Sequence, residues 1–458
     1  MKVRRLVWAL VLLLGGCASY RPLPLDRHVR APIQPGDIKV DAAVLRLFPP
    51  RHHRFDPERG LDMTDVAILA VANNPQLKLA RDQRGIAQAQ AFAAGLLPDP
   101  VLDLAHATPT AGPAETSPFA LGLAYDVETL LAHPLAKRAA NASAREVDLN
   151  LLWMEWQAIG AARQLFVRDV YQAKMLAVLR EETSALAGQH ARLVAAGGNG
   201  DVSQTAIATD LAAWQAVQAR LRRAEQQHLK TRQDLNALLG LSPRARLHLV
   251  GPANIAAPDT TDVTRALNDL PRRRPDLLAL QAGYRSADAR YRQAILAQFP
   301  AIGIGFTRAR GADAIYTRGF RLSLTLPIFN RNRGNIAIAG ATRKALHDEY
   351  AIRLLQARAQ VERIVQAQAL LVRQRAQLRQ ASAFTSRTLD RVRAVAQPGD
   401  VSGVAKTRLR ANALERKLAL LNLDENLLEQ KVALQLLLGT DRGFERADSS
   451  RRPGSPPA

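Results

Sequence analysis

The sequence is short of the residues that equip or stiffen a small soluble protein. Its 458 residues include one cysteine, Cys17, so no disulfide can form within the chain. Aromatic residues make up only 5 % of it, too few for a thick core. Four methionines and nine histidines are scattered without metal-site spacing, and the adjacent pair His52-His53 cannot share a face of a helix or strand. No glycine-rich loop runs into Lys-Ser/Thr, which removes the nucleotide cradle. These absences leave no enzyme and no metal site to argue for, and they call for no cofactor. What is abundant is Ala, Leu, Gln and Arg, a composition suited to long helices with narrow apolar seams.

The formal net charge of +22 would ordinarily raise nucleic acid as a partner. The start of the chain argues against it. Lys2, Arg4 and Arg5 precede an apolar run, Leu6 to Leu14, followed by Gly15-Gly16-Cys17. The run is too short to cross a bilayer and has the form of an export signal. Leu14-Gly15-Gly16-Cys17 resembles a bacterial lipobox, which implies cleavage before Cys17, a covalent lipid (diacylglycerol and palmitate) on its sulfur, and an outer-membrane address. Residues 1–16 are then the signal peptide, and 17–60 a proline-rich extended segment.

The remainder is organised around Asn335 to Gln397, which contains no proline and one glycine, Gly340. Leu354, Val361, Ile364, Leu371 and Leu378 return at coiled-coil spacing. About 62 residues rising roughly 1.5 Å each make a rod on the order of 93 Å long. Much of the sequence is duplicated. Asn74-Pro75-Gln76-Leu77 is answered by Arg274-Pro275-Asp276-Leu277, and Leu97-Pro98 by Phe299-Pro300. Gly200-Asp201-Val202-Ser203 is answered by Gly399-Asp400-Val401-Ser402, at the same offset of about 200 residues. The first copy occupies 61–241, a linker 242–261, the second copy 262–440 and a tail 441–458.

Each copy reads as helix, strand hairpin, very long helix, tight turn and shorter helix. In the first these fall near 62–95, 101–107 with 118–126, 135–196 and 203–240. In the second they fall near 262–298, 301–309 with 318–327, 334–396 and 402–438. The first long helix has its seam at Leu149, Leu152, Trp156, Ile159, Phe166 and Val170. Arg272-Arg273-Arg274 reads as a solvated helix start, and His228, His248 and His347 as surface residues. The two shorter helices of a copy add up to about the length of its long one, so stacked end to end they match its rise.

The strands alternate. Phe119, Leu121, Leu123 and Tyr125 share one face, with Ala120, Gly122, Ala124 and Asp126 on the other. Ile302, Ile304 and Phe306 are likewise opposed to Ala301, Gly303 and Gly305, and Phe320, Leu322, Leu324 and Leu326 to Arg321, Ser323 and Thr325. Apolar outside and small or polar inside is the dyad of a transmembrane barrel wall, although a sheet on a soluble core alternates in the same way. Four strands cannot close a barrel in lipid, because open edges leave unpaired backbone groups. The chain is therefore expected to be an oligomer whose copies share one barrel, with the helices continuing the wall. A coiled-coil envelope lipoprotein without a pore is the alternative.

The duplicated plan, with Leu97-Pro98-Asp99-Pro100 and Phe299-Pro300 opening the hairpins, resembles the outer-membrane efflux protein (TolC-like) family over nearly the whole mature chain. Leu326-Pro327-Ile328-Phe329-Asn330-Arg331-Asn332-Arg333-Gly334 is similar to its cobalt–zinc–cadmium branch, whereas Asp126-Val127-Glu128-Thr129-Leu130 departs from the usual turn. The resemblance implies a mainly α fold with a small β portion. Three chains would form a twelve-stranded outer-membrane barrel, four strands each, continued by a twelve-helix periplasmic barrel. It implies a passive exit duct for metal cations or small toxic compounds, in a Gram-negative bacterium. Its partners would be a periplasmic adaptor, an inner-membrane pump of the RND type and outer-membrane lipid, with no nucleic acid. Arg192, Gly198, Gly200, Val202 and Ser203, with Arg391, Gly399, Val401 and Ser402, match the hairpin tips that meet an adaptor. Asp201 and Asp400 match an acidic aperture. The helix-capping role open to an Asp at such a position competes with that assignment.

Overall fold

The structure, a computed structural model, describes residues 20–28, 31–38, 40–41, 55–113, 116–251, 255, 260–395 and 403–439. Cys17, Gly399, Asp400, Val401 and Ser402 lie outside these residues.

The fold is mostly helical with one small antiparallel sheet, and its second half repeats the element order of the first. Helix α1 (Met63–Asn73) starts from a reciprocal cap: Asp62 accepts from the backbone N–H of Thr64 and Asp65, and Asp65 accepts from that of Asp62. The chain then breaks. Pro75 lacks an N–H and excludes helical backbone from the residue before it, so Asn74 turns to φ −58, ψ 126 and caps α2 (Pro75–Ala93). The single helix expected over 62–95 is therefore two. The same break at Arg274-Pro275 separates α5 (Thr260–Arg273) from α6 (Pro275–Leu296).

Between and after these come strands β1 (Val101–His106), β2 (Phe119–Asp126), β3 (Ala301–Arg310) and β4 (Tyr316–Thr325). The long rods are α3 (Val127–Gly198) and α7 (Arg333–Val395), followed by α4 (Gln204–Leu238) and α8 (Gly403–Leu438). Helix α3 has 72 residues and begins directly at the end of β2, well before position 135, with Pro134 inside it. Asp126 explains the early start. Its carboxylate accepts from the N–H groups of Glu128 and Thr129 and from the Thr129 hydroxyl, a complete N-cap in place of a proline turn.

The end-to-end stacking is visible in the first copy. The Asn73 amide donates to the carbonyls of Leu239 (2.7 Å) and Gly240 (3.3 Å), and the Asn74 amide to that of Leu238 (2.8 Å). The junction of α1 and α2 thus satisfies the open carbonyl end of α4. Gly240 adopts φ +66, and a Cβ there would come within 2.5 Å of the Asn73 carbonyl oxygen. Beside this junction lies a core of Leu61, Val66, Leu69, Phe166, Leu235, Leu239 and Leu247. The N-terminal segment enters it through Ile38, and Leu61 bridges the linker strand at Leu249.

Arg274 corrects an expectation. It is 2 % exposed, with its guanidinium bound by two hydrogen bonds to Asp276 (2.9 and 2.6 Å) and stacked 4.8 Å from the Trp153 ring. Arginine has no acceptor with which to cap a helix, and this position uses a buried ion pair and a ring face where its counterpart Asn74 uses a side-chain oxygen.

The helices form a layer with two edges. Next to the sheet the lateral order is α2, α3, α6, α7; toward the tips it is α4, α3, α8, α7. The sheet runs β1-β2-β3-β4 in the same direction. Among the described residues no helix is long and apolar enough to cross a membrane.

Candidate functional site

The four strands pair in register. Leu104, Leu121, Arg308 and Arg318 form one outward rung, and Leu102, Leu123, Phe306 and Phe320 the next. Tyr125, Ile304 and Leu322 follow, then Ile302 and Leu324. On the opposite face Asp103, Gly122, Thr307 and Gly319 share a rung, as do Ala124, Gly305 and Arg321, and Asp126, Gly303 and Ser323. Leu326 is a small correction: β4 ends at Thr325, so this exposed leucine lies one residue past the strand.

Among the described residues nothing covers the apolar face. Leu104 is 75 % exposed, and Phe306 and Phe320 are each 62 % exposed. A sheet lying on a soluble core would bury that side, so the core-packing reading of the alternation fails here. Strands β3 and β4 have ten residues each. At about 3.4 Å per residue and a tilt near 45°, such strands rise about 24 Å, close to the height of the apolar band of an outer-membrane wall.

Both edges of the sheet, β1 and β4, are without a partner strand among the described residues. Helices α2 and α7 extend those same edges along the layer. Each carries uncovered apolar residues on one face: Leu79 and Ile86 on α2, and Ile338, Ile352 and Leu355 on α7. A layer whose two different edges are both unfinished is built to join head to tail with further copies until a ring closes.

At the far end, α3 turns into α4. Gly200 takes φ +80, and the Asp201 N–H donates to the Ala196 carbonyl (3.1 Å). Ser203 is the N-cap of α4, its oxygen accepting from the N–H of Ala206. Asp201 is therefore not the cap; its side chain is exposed at the turn. Arg192, Gly198, Gly200 and Ser203 are exposed and Val202 is half-buried at this tip. Arg391 is exposed near the end of α7, and the matching second tip lies outside the described residues.

Two histidines on the first hairpin were not apparent as interior residues from spacing. His228, expected at the surface, sits with Nε2 3.0 Å from Oδ1 of buried Asp169, between α4 and α3. His190 stands 3.3 Å from buried Asp210 and stacks on Trp214. These pairs clip α4 to α3. Arg410 on α8 pairs with Glu182 and donates to Gln189, tying the second copy to the same region of α3. Among the described residues there is no group of three or more His, Cys, Asp or Glu side chains placed to hold a metal ion.

Residues 266–440 match the model of a family described as Outer membrane efflux protein. No curated protein matches the sequence. Solved structures match over almost the full length. The Campylobacter jejuni CmeC outer membrane channel is 14 % identical, with a TM-score of 0.70 over 94 % of this chain and 98 % of that one. The open state of the Neisseria gonorrhoeae MtrE outer membrane channel is 17 % identical, with a TM-score of 0.68 over 82 % of this chain and 88 % of that one. CusC is 17 % identical, with a TM-score of 0.69 over 90 % of this chain and 99 % of that one. At such identities the likeness speaks for the fold, a β-barrel wall continued by a helical tunnel.

Proposed function

We propose that the chain is a channel of the outer membrane efflux protein family, whose model its second repeat matches, and that it works as the trimeric exit duct of a tripartite pump. The observation that carries the reading is the unfinished sheet, with apolar residues uncovered outside and small or polar ones inside. Three such sheets make twelve strands, within the range that closes in lipid. The duct is passive; an inner-membrane pump of the RND type supplies the energy through a periplasmic adaptor seated on the tips around Arg192–Ser203 and Arg391–Ser402. Its cargo is metal cations or small toxic compounds, and the stretch Leu326–Gly334 favours the cations. Beyond the lipid on Cys17, no cofactor takes part.

Asp201 with Asp400 forms the aperture. Carboxylates ringed around a narrow mouth repel one another and attract cations, giving a selective constriction that can open. Freedom of Asp201 from the capping role supports this.

Membrane fractions run on gels with and without heating test the duct. A band at trimer mass that collapses on boiling, together with single-channel conductance in bilayers, is the expected result. A monomer that never conducts points instead to a pore-less coiled-coil lipoprotein. Cys17→Ser should abolish lipid labelling and processing at that site, and normal processing of the variant would rule the anchor out.

A further inference from the structure

The outward face of the sheet is not uniformly apolar. Its two rungs at the hairpin end read His106, Phe119, Arg310, Tyr316 and Leu104, Leu121, Arg308, Arg318. Three arginines per chain thus share the face of the lipid-exposed leucines and phenylalanines, and no carboxylate stands on that face of the four strands. Arginine on a lipid-facing strand is costly at the bilayer centre and tolerated near the interface. Depth decides the matter. The helices leave the other end of the sheet, so the hairpin end is the one remote from the periplasmic tunnel, at the outer leaflet. The rungs toward the helices carry Ile302, Ile304, Leu322 and Leu324 on this face.

The arginines are arranged rather than merely present. The Arg310 guanidinium lies 5.5 Å from the Phe119 ring centre and 5.9 Å from that of Tyr316, and the two rings meet edge to face at 6.3 Å. Its Nη2 donates to the Ser117 carbonyl (2.8 Å), while its Nε is enclosed and has no hydrogen-bond partner among the described residues. Arg308 and Arg318 face each other across β3 and β4 and are exposed. Two like charges directly opposed on a sheet are unfavourable unless an anion lies between them. Guanidinium forks fit phosphate oxygens in pairs, and aromatic rings beside them suit the boundary between acyl chains and headgroups.

We propose that Arg308, Arg310 and Arg318 form a docking site for the phosphorylated glycolipid of the outer leaflet, binding the phosphates of its lipid A headgroup while Leu104, Leu121 and Phe119 receive its acyl chains. Each chain would carry one such site on the outside of the wall. The proposal rests on the channel reading for two statements, that this face looks at lipid and that the hairpin end lies at the outer leaflet.

Bisphosphorylated lipid A is titrated against the trimer in detergent micelles and counted by native mass spectrometry, with enzymatically dephosphorylated lipid A and inorganic phosphate as the other two probes. The wild-type protein is expected to hold bisphosphorylated lipid A at least about tenfold more tightly than the dephosphorylated form. The triple variant Arg308→Gln, Arg310→Gln, Arg318→Gln should lose that preference and keep its single-channel conductance. Equal binding of the two lipid forms by the wild type overturns the proposal, and this comparison needs no variant to fold. Undiminished preference in the triple variant overturns it too, as does displacement of the lipid by millimolar phosphate alone. A wild-type protein that forms no conducting trimer refutes the channel reading instead, so the two failures are told apart.

Discussion

The two longest helices hold the same place in the duplicated plan and have opposite surroundings. Helix α3 is packed by α1, α2, α4, α6 and α8, and it buries Leu149, Leu152, Trp156, Ile159 and Phe166. Helix α7 has its neighbours along one side, α5, α6 and α8, and buries Ala357 and Val361 there. Its Ile338, Ile352, Leu355 and Phe384 stay more than half exposed. At 3.6 residues per turn these four fall within an arc of about 100°. Helix α7 is the more polar of the two, and the two also differ in position in the layer, α3 inside it and α7 at its edge. Burial here belongs to placement rather than to the repeat. The second stripe on α7 is the part of the core that one chain cannot complete.

That contrast predicts two different kinds of damage. Phe166 is fully buried in the core where α1, α3 and α4 meet. Phe166→Ala should remove about 3–5 kcal/mol from the stability of the protomer itself, seen as a lower denaturant midpoint and lower yield. Ile352→Glu with Leu355→Glu should act elsewhere, leaving helix content intact by circular dichroism while the heat-sensitive trimer band disappears. If the trimer survives that pair, the outer stripe of α7 is not where copies meet, and the comparison between the two rods loses its meaning. If the protomer unfolds, α7 contributes to the core of its own chain more than its exposure indicates.

Local chemistry explains which features could be read ahead of the structure. The strand faces follow from strict alternation, and the start of each hairpin from the prolines ahead of it, Pro98 and Pro100 in the first copy and Pro300 in the second. The long rods follow from sustained apolar spacing, in α7 without a proline and in α3 in spite of Pro134. Elements whose form depends on a distant partner were read less well. Arg274 looks like one of three exposed arginines until Asp276 and Trp153 are brought around it. His228 has no signal of burial in its own helix; Asp169 comes from the neighbouring rod. Asp201 and Ser203 both have side chains able to cap a helix, and the turn at Gly200 gives the cap to Ser203. The outward arginines were hidden because Arg308, Arg310 and Arg318 continue the parity of Ile302, Ile304 and Phe306 beyond the point where the apolar run ends.

The smallest expected effect lies on α8, which ties the two rods together. Asp424 pairs with Arg375 of α7, while the adjacent Glu425 and Glu429 reach across to Arg168 of α3. One guanidinium serves two carboxylates unequally: Glu429 is 2.9 Å from it and Glu425 3.9 Å. Burial, reinforced by the charge of Glu429 and only partly offset by Arg168, pushes the Glu425 carboxyl up from 4.5 to about 7. Burial likewise raises the neighbouring Tyr171 phenol, helped by Asp424. A carboxyl whose folded value lies above its unfolded one binds its proton more tightly in the native state. Its contribution to stability is complete below about pH 4.5 and is lost as the pH rises through about 7. The grip of α8 on α3 should therefore loosen toward neutral pH. Glu425→Gln should flatten the fall in denaturant midpoint between pH 5 and pH 8 without moving the trimer band, because it acts on the enclosed rod and not on the edge. An unchanged slope in the variant would mean that Glu425 is ionised across that whole range, and that the grip of α8 on the enclosed rod does not depend on its proton.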